Sequence, residues 1–356
     1  MIERRERQPR DWDQYAGMEP DFVFGIAPVL AALRYRSREA YYTLYVETGF
    51  KERFNMVTAP GKKSKQKEHS RAARIFAEAE KLFPEAQSDE SLKVVEVPKG
   101  QLAEAPGLRD SAHQGVALCC SPLMPVILDR LPASAPPGSV WLALDEIQDP
   151  RNLGALLRSA RFLGAQGVVV SLKNSAPLSP AASKASAGAV EEMSTSVYGA
   201  RNLPRLLNEA KATWRVVAAT TATMRNKTKP VSLASFGPVG PQAPPTIIVL
   251  GSEGTGLRKL VLDAAEFRVM VPSPLLMEET QADHHVDDDD DDDDEESETL
   301  DDLLLNDDDQ QETIGKHGAL ESEVDSLNVA VTGALMLYHF LPDPSLQQEN
   351  SSDSSS

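Results

Sequence analysis

Five segments between residues 140 and 272 are apolar almost throughout: VWLALDEI at 140–147, GVVVSL at 167–172, RVVAATT at 215–221, TIIVL at 246–250 and RVMVP at 268–272. A strand with one wet face alternates polar and apolar residues. A strand without alternation must be covered on both faces. Helical periodicity fills most of the gaps between these runs. Short, fully apolar strands alternating with helices predict an α/β fold built on a parallel sheet with helices on both sides.

The first third of the chain reads differently. Residues 1–19 are polar, with Arg4, Arg5, Arg7 and Arg10 set among Glu3 and Glu6, and are expected to be disordered. A mitochondrial presequence would be Arg-rich but poor in acids. This start is mixed and carries no clear targeting signal, as in a chain that begins after a removed leader. Residues 20–125 predict a small separate α/β unit. It holds a turn into a helix at 25–33, a strand at 41–46, a basic stretch at 60–74 running into a helix that ends at Leu82, and short strands at 94–97 and 116–120. Residues 126–139, rich in Pro, Ala and Ser, predict a linker. The second unit then spans 140–343, and residues 344–356 form a polar tail expected to be disordered.

Charge separates one segment from the rest. The formal net charge is −18, but residues 278–312 hold 20 acids and no Lys or Arg, so the rest of the chain stands at about +2. Eight consecutive aspartates at 287–294 repel one another, and the stretch 278–316 is expected to be a disordered acidic insert. The low pI therefore does not argue against a nucleic-acid partner. Cys119 and Cys120 are adjacent and expected in the core, not in a disulfide scaffold. No apolar run reaches membrane-spanning length, so no membrane partner is expected. The six histidines show no metal spacing.

Three segments carry chemistry. In LDEIQDPRNLGALLRSARFLG at 144–164, a strand gives way to a helix, with Asp149 a candidate N-cap and Pro150 in its first turn. Leu153, Leu156, Leu157 and Ala160 form the buried stripe. Asn152 sits at the helix mouth, and Arg158 and Arg161 lie off the stripe. In IIVLGSEGTGL at 247–257, a buried strand enters a glycine-rich turn with one acid, Glu253. It has neither the Gly-Lys-Ser/Thr ending of a P-loop nor the GxGxxG of a dinucleotide fold. In VDSLNVAVTGALMLY at 324–338, Asp325, Ser326 and Asn328 stand at the mouth of an apolar helix. A cap at Asp325 or Ser326 accounts for those two, but not for Asn328. Each segment alone is equally an ordinary helix start or tight turn.

Together and in order, NLGALLRSA at 152–160, LGSEGTGL at 250–257 and SLNVAV at 326–331 resemble the SpoU-type RNA ribose 2′-O-methyltransferases of the SPOUT superfamily. SAPLSPAASKASAGAVEEM at 175–193 is similar to the segment between that family's first two motifs. FGIAPVLAAL at 24–33 and HQGVALCCSPL at 113–123 resemble its accessory domain of L30-like fold. Within the family, the chain looks most like the enzymes that methylate a guanosine of large-subunit rRNA, fungal mitochondrial members in particular. The resemblance implies a trefoil-knotted parallel-sheet domain, S-adenosylmethionine as cofactor, rRNA as partner, a mitochondrial location, and a homodimer that completes its site across subunits. It implies Arg158 as the catalytic arginine and Asn152 as its first-motif partner. Glu253 would orient Arg158 and the adjacent loop, and Ser326 and Asn328 would complete the site. The cofactor would be held largely through backbone at Leu250, Gly251, Val271, Leu327 and Asn328. An arginine stays protonated, so Arg158 is expected to clamp phosphate and polarise the ribose hydroxyl, not to act as a literal base. His113 lies in the accessory-domain signature and is expected to be structural.

Two rival readings use the same residues. A non-catalytic RNA-binding or assembly factor on this fold would have no use for Asn152, Arg158, Glu253, Ser326 and Asn328 together. A nucleotide-dependent oxidoreductase would need the missing GxGxxG and a downstream ribose-binding acid. The acidic insert departs from the family, whose members cross from the last strand to the final helix in a short loop. Twenty negative charges beside an RNA site would oppose binding.

Overall fold

The computed structural model describes residues 18–50, 63–82, 92–104, 108–109, 111–220, 230–272 and 326–341. The acidic insert, Asp325, His284, His285 and both termini lie outside the described residues.

The first sheet contains β1 (Asp21–Phe24), β2 (Tyr41–Glu47), β3 (Lys93–Val97) and β4 (Val116–Cys120) in the order β1-β4-β2-β3. Only β2 and β3 pair in parallel. Helix α1 (Ile26–Tyr35) and helix α2 (Lys63–Leu82) cover one face, where Val23, Val29, Leu33, Leu44, Ile75 and Leu118 form a core. Cys119 and Cys120 are buried in β4, and burial pushes both thiols up from their ordinary values. The His113 ring accepts the Gly115 amide at 3.1 Å in the turn before β4, a local structural contact.

The second sheet contains β5 (Val126–Ile127), β6 (Val140–Leu144), β7 (Gly167–Ser171), β8 (Val197–Ala200), β9 (Arg215–Ala219), β10 (Val231–Ser232), β11 (Thr246–Leu250) and β12 (Phe267–Met270). Every pairing is parallel, in the order β10-β12-β9-β11-β6-β7-β8-β5. The α/β parallel-sheet expectation is met, including its reason. Leu142, Leu144, Val168 and Ile248 face one core, which α3 (Pro150–Leu163) and α8 (Val329–Phe340) close. Trp141, Ala143, Val169 and Ile247 face the other, beneath α6 (Leu203–Ala210) and α7 (Lys259–Asp263). Two short helices, α4 (Pro180–Ala185) and α5 (Ala189–Glu192), lie between β7 and β8 in sequence.

Residues 126–139 are not a free linker. Val126 and Ile127 pair with β8 at the sheet edge, Leu131 is buried in the second core, and the Pro132 carbonyl accepts the Trp214 indole N–H at 3.1 Å. Composition signalled the chain's stiffness here, but not that an edge strand was open to take it.

Close packing of α3 on α4 depends on Gly154. A Cβ there would lie 2.5 Å from the Ala182 carbonyl oxygen and 2.7 Å from the Ala185 methyl. Backbone cannot swing aside as a side chain can. Gly154→Ala is therefore expected to destabilise the protein by about 1–3 kcal/mol despite its better helix propensity, read as a lower melting temperature. A gain in stability would mean that α3 and α4 sit further apart.

Candidate functional site

In the second sheet the chain order reverses between β6 and β11. From β6 the chain proceeds through β7 to β8 on one side, while β11, β9, β12 and β10 occupy the other. Ligands of open parallel sheets bind beyond the carboxyl ends of the strands at such a reversal. Here those ends carry Asp145, which leads into α3, and the loop Gly251–Leu257.

Helix α3 begins as its sequence demands. The Asp149 carboxylate accepts the Arg151 amide at 2.8 Å, and Pro150 occupies the first turn. The Arg151 guanidinium also donates to Asp149 and holds its carboxyl below the usual range. Asn152 follows, half-buried at the helix mouth. Helix α8 begins differently from expectation. Asn328 itself is the N-cap, its Oδ1 accepting from the amides of Ala330 at 2.9 Å and Val331 at 3.4 Å. Its amide nitrogen is thereby left pointing outward as a donor.

That donor joins the three motifs. Asn328 Nδ2 donates to Asn152 Oδ1 at 3.2 Å and to Glu253 Oε1, and Glu253 also accepts the Val329 amide at 3.4 Å. Asn152 and Asn328 are 176 residues apart in sequence. Glu253 thus holds Asn328 and the start of α8. Arg158 lies on the exposed face of α3, six residues beyond Asn152, about 9 Å along the axis at 1.5 Å per residue. Among the described residues it shares no hydrogen bond with the trio. Ser326 and Leu327 are exposed and immediately precede the cap.

The Gly251–Leu257 loop is folded tightly. Ser252 and Gly256 exchange backbone hydrogen bonds at 3.2 and 2.9 Å, and the Ser252 and Thr255 hydroxyls meet at 2.7 Å. A Cβ on Gly251 would collide with the backbone of Gly256, whereas a Cβ on Gly254 would meet nothing within 4 Å. The loop thus presents exposed backbone. Leu250 ends β11, fully buried, and Val271 follows β12, half-buried.

Two residues that sequence reasoning passed over hold this loop. Asp145 is wholly buried at the end of β6. It accepts Arg258 Nε at 2.9 Å and the Arg258 backbone amide at 3.2 Å. The hydrogen bonds and charge of Asp145 raise the Arg258 guanidinium above its ordinary value against the cost of burial. Arg258 also reaches Glu146 at 3.3 Å. Glu146 adopts a left-handed conformation (φ 56°), with its amide bonded to Ser171 Oγ at 2.9 Å and its carboxylate to Asn174 Nδ2 at 3.2 Å. The available signal was an acid directly after five apolar residues, where an unpaired charge would be costly.

Residues 139–275 match the SpoU rRNA methylase family. The chain is 36% identical over 205 residues to the human mitochondrial rRNA methyltransferase 1, covering 53% of this chain and 56% of that protein. It is 33% identical over 191 residues to a TrmH family tRNA/rRNA methyltransferase of Staphylococcus aureus, covering 52% of this chain and 70% of that one. Among solved structures, the SpoU methyltransferase AviRb from Streptomyces viridochromogenes, in complex with AdoMet, superposes with a TM-score of 0.53 at 14% identity, covering 96% of this chain and 97% of that one. At that identity the likeness concerns the fold alone. With three motifs converging on one site and a relative of which the chain covers more than two thirds, this chain belongs to the SpoU/TrmH family of RNA methyltransferases.

Proposed function

We propose that the protein transfers a methyl group from S-adenosylmethionine to the ribose 2′-hydroxyl of a guanosine in large-subunit rRNA, in mitochondria. The observation that carries this reading is the hydrogen-bonded meeting of Asn152, Glu253 and Asn328 at the carboxyl ends of the strands. The name of the human relative supports the rRNA substrate and the compartment.

The residues present suit an adenosyl cofactor. Leu250 and Gly251 lie at the reversal point and Val271 at the end of β12, two strands away, and a Cβ on Gly254 would meet nothing within 4 Å. S-adenosylmethionine, when bound, supplies an electrophilic methyl on a sulfonium. The work left to the chain is positioning, which can carry much of such a barrier. The Asn152–Glu253–Asn328 trio fixes the mouths of α3 and α8 against the loop. Arg158 clamps phosphate and polarises the hydroxyl.

Arg158 is exposed and, among the described residues, shares no hydrogen bond with the trio of its own chain. This favours a homodimer in which Arg158 of one subunit serves the cofactor loop of the other. Val331, Leu335 and Tyr338 form an exposed apolar stripe on α8, and Phe162, 87% exposed, lies one turn beyond Arg158 on α3; both suit burial against a second copy. We further read residues 140–343 as a trefoil-knotted methyltransferase domain and residues 20–125 as an L30-like RNA-binding domain. The test is ribose-methylation mapping of cytosolic and organellar rRNA after gene deletion, with calorimetry of S-adenosylmethionine binding. Loss of one large-subunit 2′-O-methylguanosine is expected. An unchanged map overturns the assignment.

A further inference from the structure

The segment Pro180–Glu192 is gripped from two sides. On one side α4 lies against α3 at Gly154. On the other it meets the first sheet through a buried ion pair. Arg38, its side chain wholly buried, donates through Nε to Glu191 Oε2 at 2.9 Å and through Nη2 to Oε1 at 2.5 Å. Its Nη1 reaches Asp21 Oδ2 at 2.6 Å and the Ser121 carbonyl at 3.0 Å. The hydroxyls of Ser37 and Ser183 complete the Glu191 carboxylate, the latter at 2.9 Å. Burial opposes the Arg38 charge, yet Glu191 outweighs it and holds the guanidinium above its ordinary value.

Around this pair the contacts are also directional. Lys184 Nζ donates to the Ala112 carbonyl at 2.6 Å and to Gln114 Oε1 at 3.2 Å, and Gln114 Oε1 accepts the first amide of α1 at 3.1 Å. Gly188, with φ +90°, lies so close to α1 that a Cβ would be 2.9 Å from the Ala27 carbonyl. Glu192 accepts Tyr35 Oη at 2.8 Å from α1 and Arg161 Nη2 at 2.6 Å from α3. Arg161 is three residues from Arg158, on the same helix.

Apolar surfaces would join two units at lower electrostatic cost, but they tolerate sliding. A bidentate guanidinium–carboxylate pair accepts one orientation. We infer that Pro180–Glu192 is a bracket that fixes the reach between RNA held on the N-terminal unit and Arg158, with Arg38 and Glu191 as positioning residues that select which ribose is methylated. This rests on the RNA-methylation reading above.

The test uses the full chain, S-adenosylmethionine, an rRNA transcript spanning the mapped target, and a short oligonucleotide carrying only the target and its immediate neighbours. Arg38→Met with Glu191→Gln removes both wholly buried charges together and leaves only the part-exposed Asp21 without its partner. Lys184→Met with Tyr35→Phe is a milder disturbance that reports if the first pair fails to fold. Both are expected to hold S-adenosylmethionine within about twofold of the wild-type affinity and to methylate the oligonucleotide at the wild-type rate. On the transcript, kcat/KM is expected to fall about tenfold to a hundredfold for the first pair and less for the second, with methyl groups spreading to neighbouring riboses. Wild-type site selection on the transcript by a folded variant overturns the inference. So does an equal loss on both RNAs, which would mark the bracket as structural only. A wild-type chain that methylates neither RNA overturns the functional reading instead.

Discussion

Arg158→Ala is expected to lower methyl transfer to rRNA by about 10²-fold or more, the scale of losing one group that stabilises developing charge. Its melting temperature and S-adenosylmethionine affinity should match the wild type, because the side chain is exposed on α3 and its truncation opens no cavity. Arg158→Lys should fail almost as badly, since a point charge cannot copy a planar fork against phosphate. A mixing experiment locates the partner. If Arg158 serves the other subunit, a heterodimer of Arg158→Ala and Glu253→Ala chains, the second lacking the acceptor that holds Asn328, contains one site carrying both defects and one carrying none. Activity then returns on mixing two inactive proteins. If each Arg158 serves its own chain, every site carries a defect and mixing restores nothing. Near-normal turnover by Arg158→Ala itself would remove the residue from the chemistry.

The largest loss of stability is expected from Arg38→Ala, about 3–5 kcal/mol, because the wholly buried Glu191 carboxylate is left without its counter-charge. Chemical denaturation of both forms measures this directly. Removing both partners by Arg38→Met with Glu191→Gln should cost far less than Arg38→Ala alone. If the single variant is as stable as the wild type, water reaches Glu191 and the pair is not a closed contact.

These two arginines illustrate what a sequence discloses. The parallel sheet was legible because Val140–Leu144 and Thr246–Leu250 lack alternation, and two-sided burial leaves that mark directly. Asn152, Glu253 and Asn328 were legible because each is polar at the mouth of an apolar element. Their mutual hydrogen bonds were not, because a cap at Asp325 or Ser326 satisfied the same local pattern. Only the fold shows that Asn328 caps α8 and still has a donor to spare. Arg38 and Glu191 stand 153 residues apart among other charges. Each looks like a solvated side chain until the partner is in place. Asp145 and Arg258, 113 residues apart, were hidden for the same reason. Periodicity reports burial within an element, whereas ion pairs across elements leave no local trace.

The strand order also sets a schedule for making the protein. At the centre of the second sheet, residues 140–144 pair on one flank with β7 soon after they are synthesised, but on the other flank with residues 246–250. At about 5–20 residues per second, that second edge waits several seconds, apolar on both faces and with its amides and carbonyls unpaired. Such an edge is an invitation to the wrong strand. Arg38 waits too, since Glu191 is made long after the four strands of the first sheet are complete. Yield of the folded protein should therefore depend on chaperones that hold the unpaired amino-terminal half more than the stability of the finished molecule would suggest.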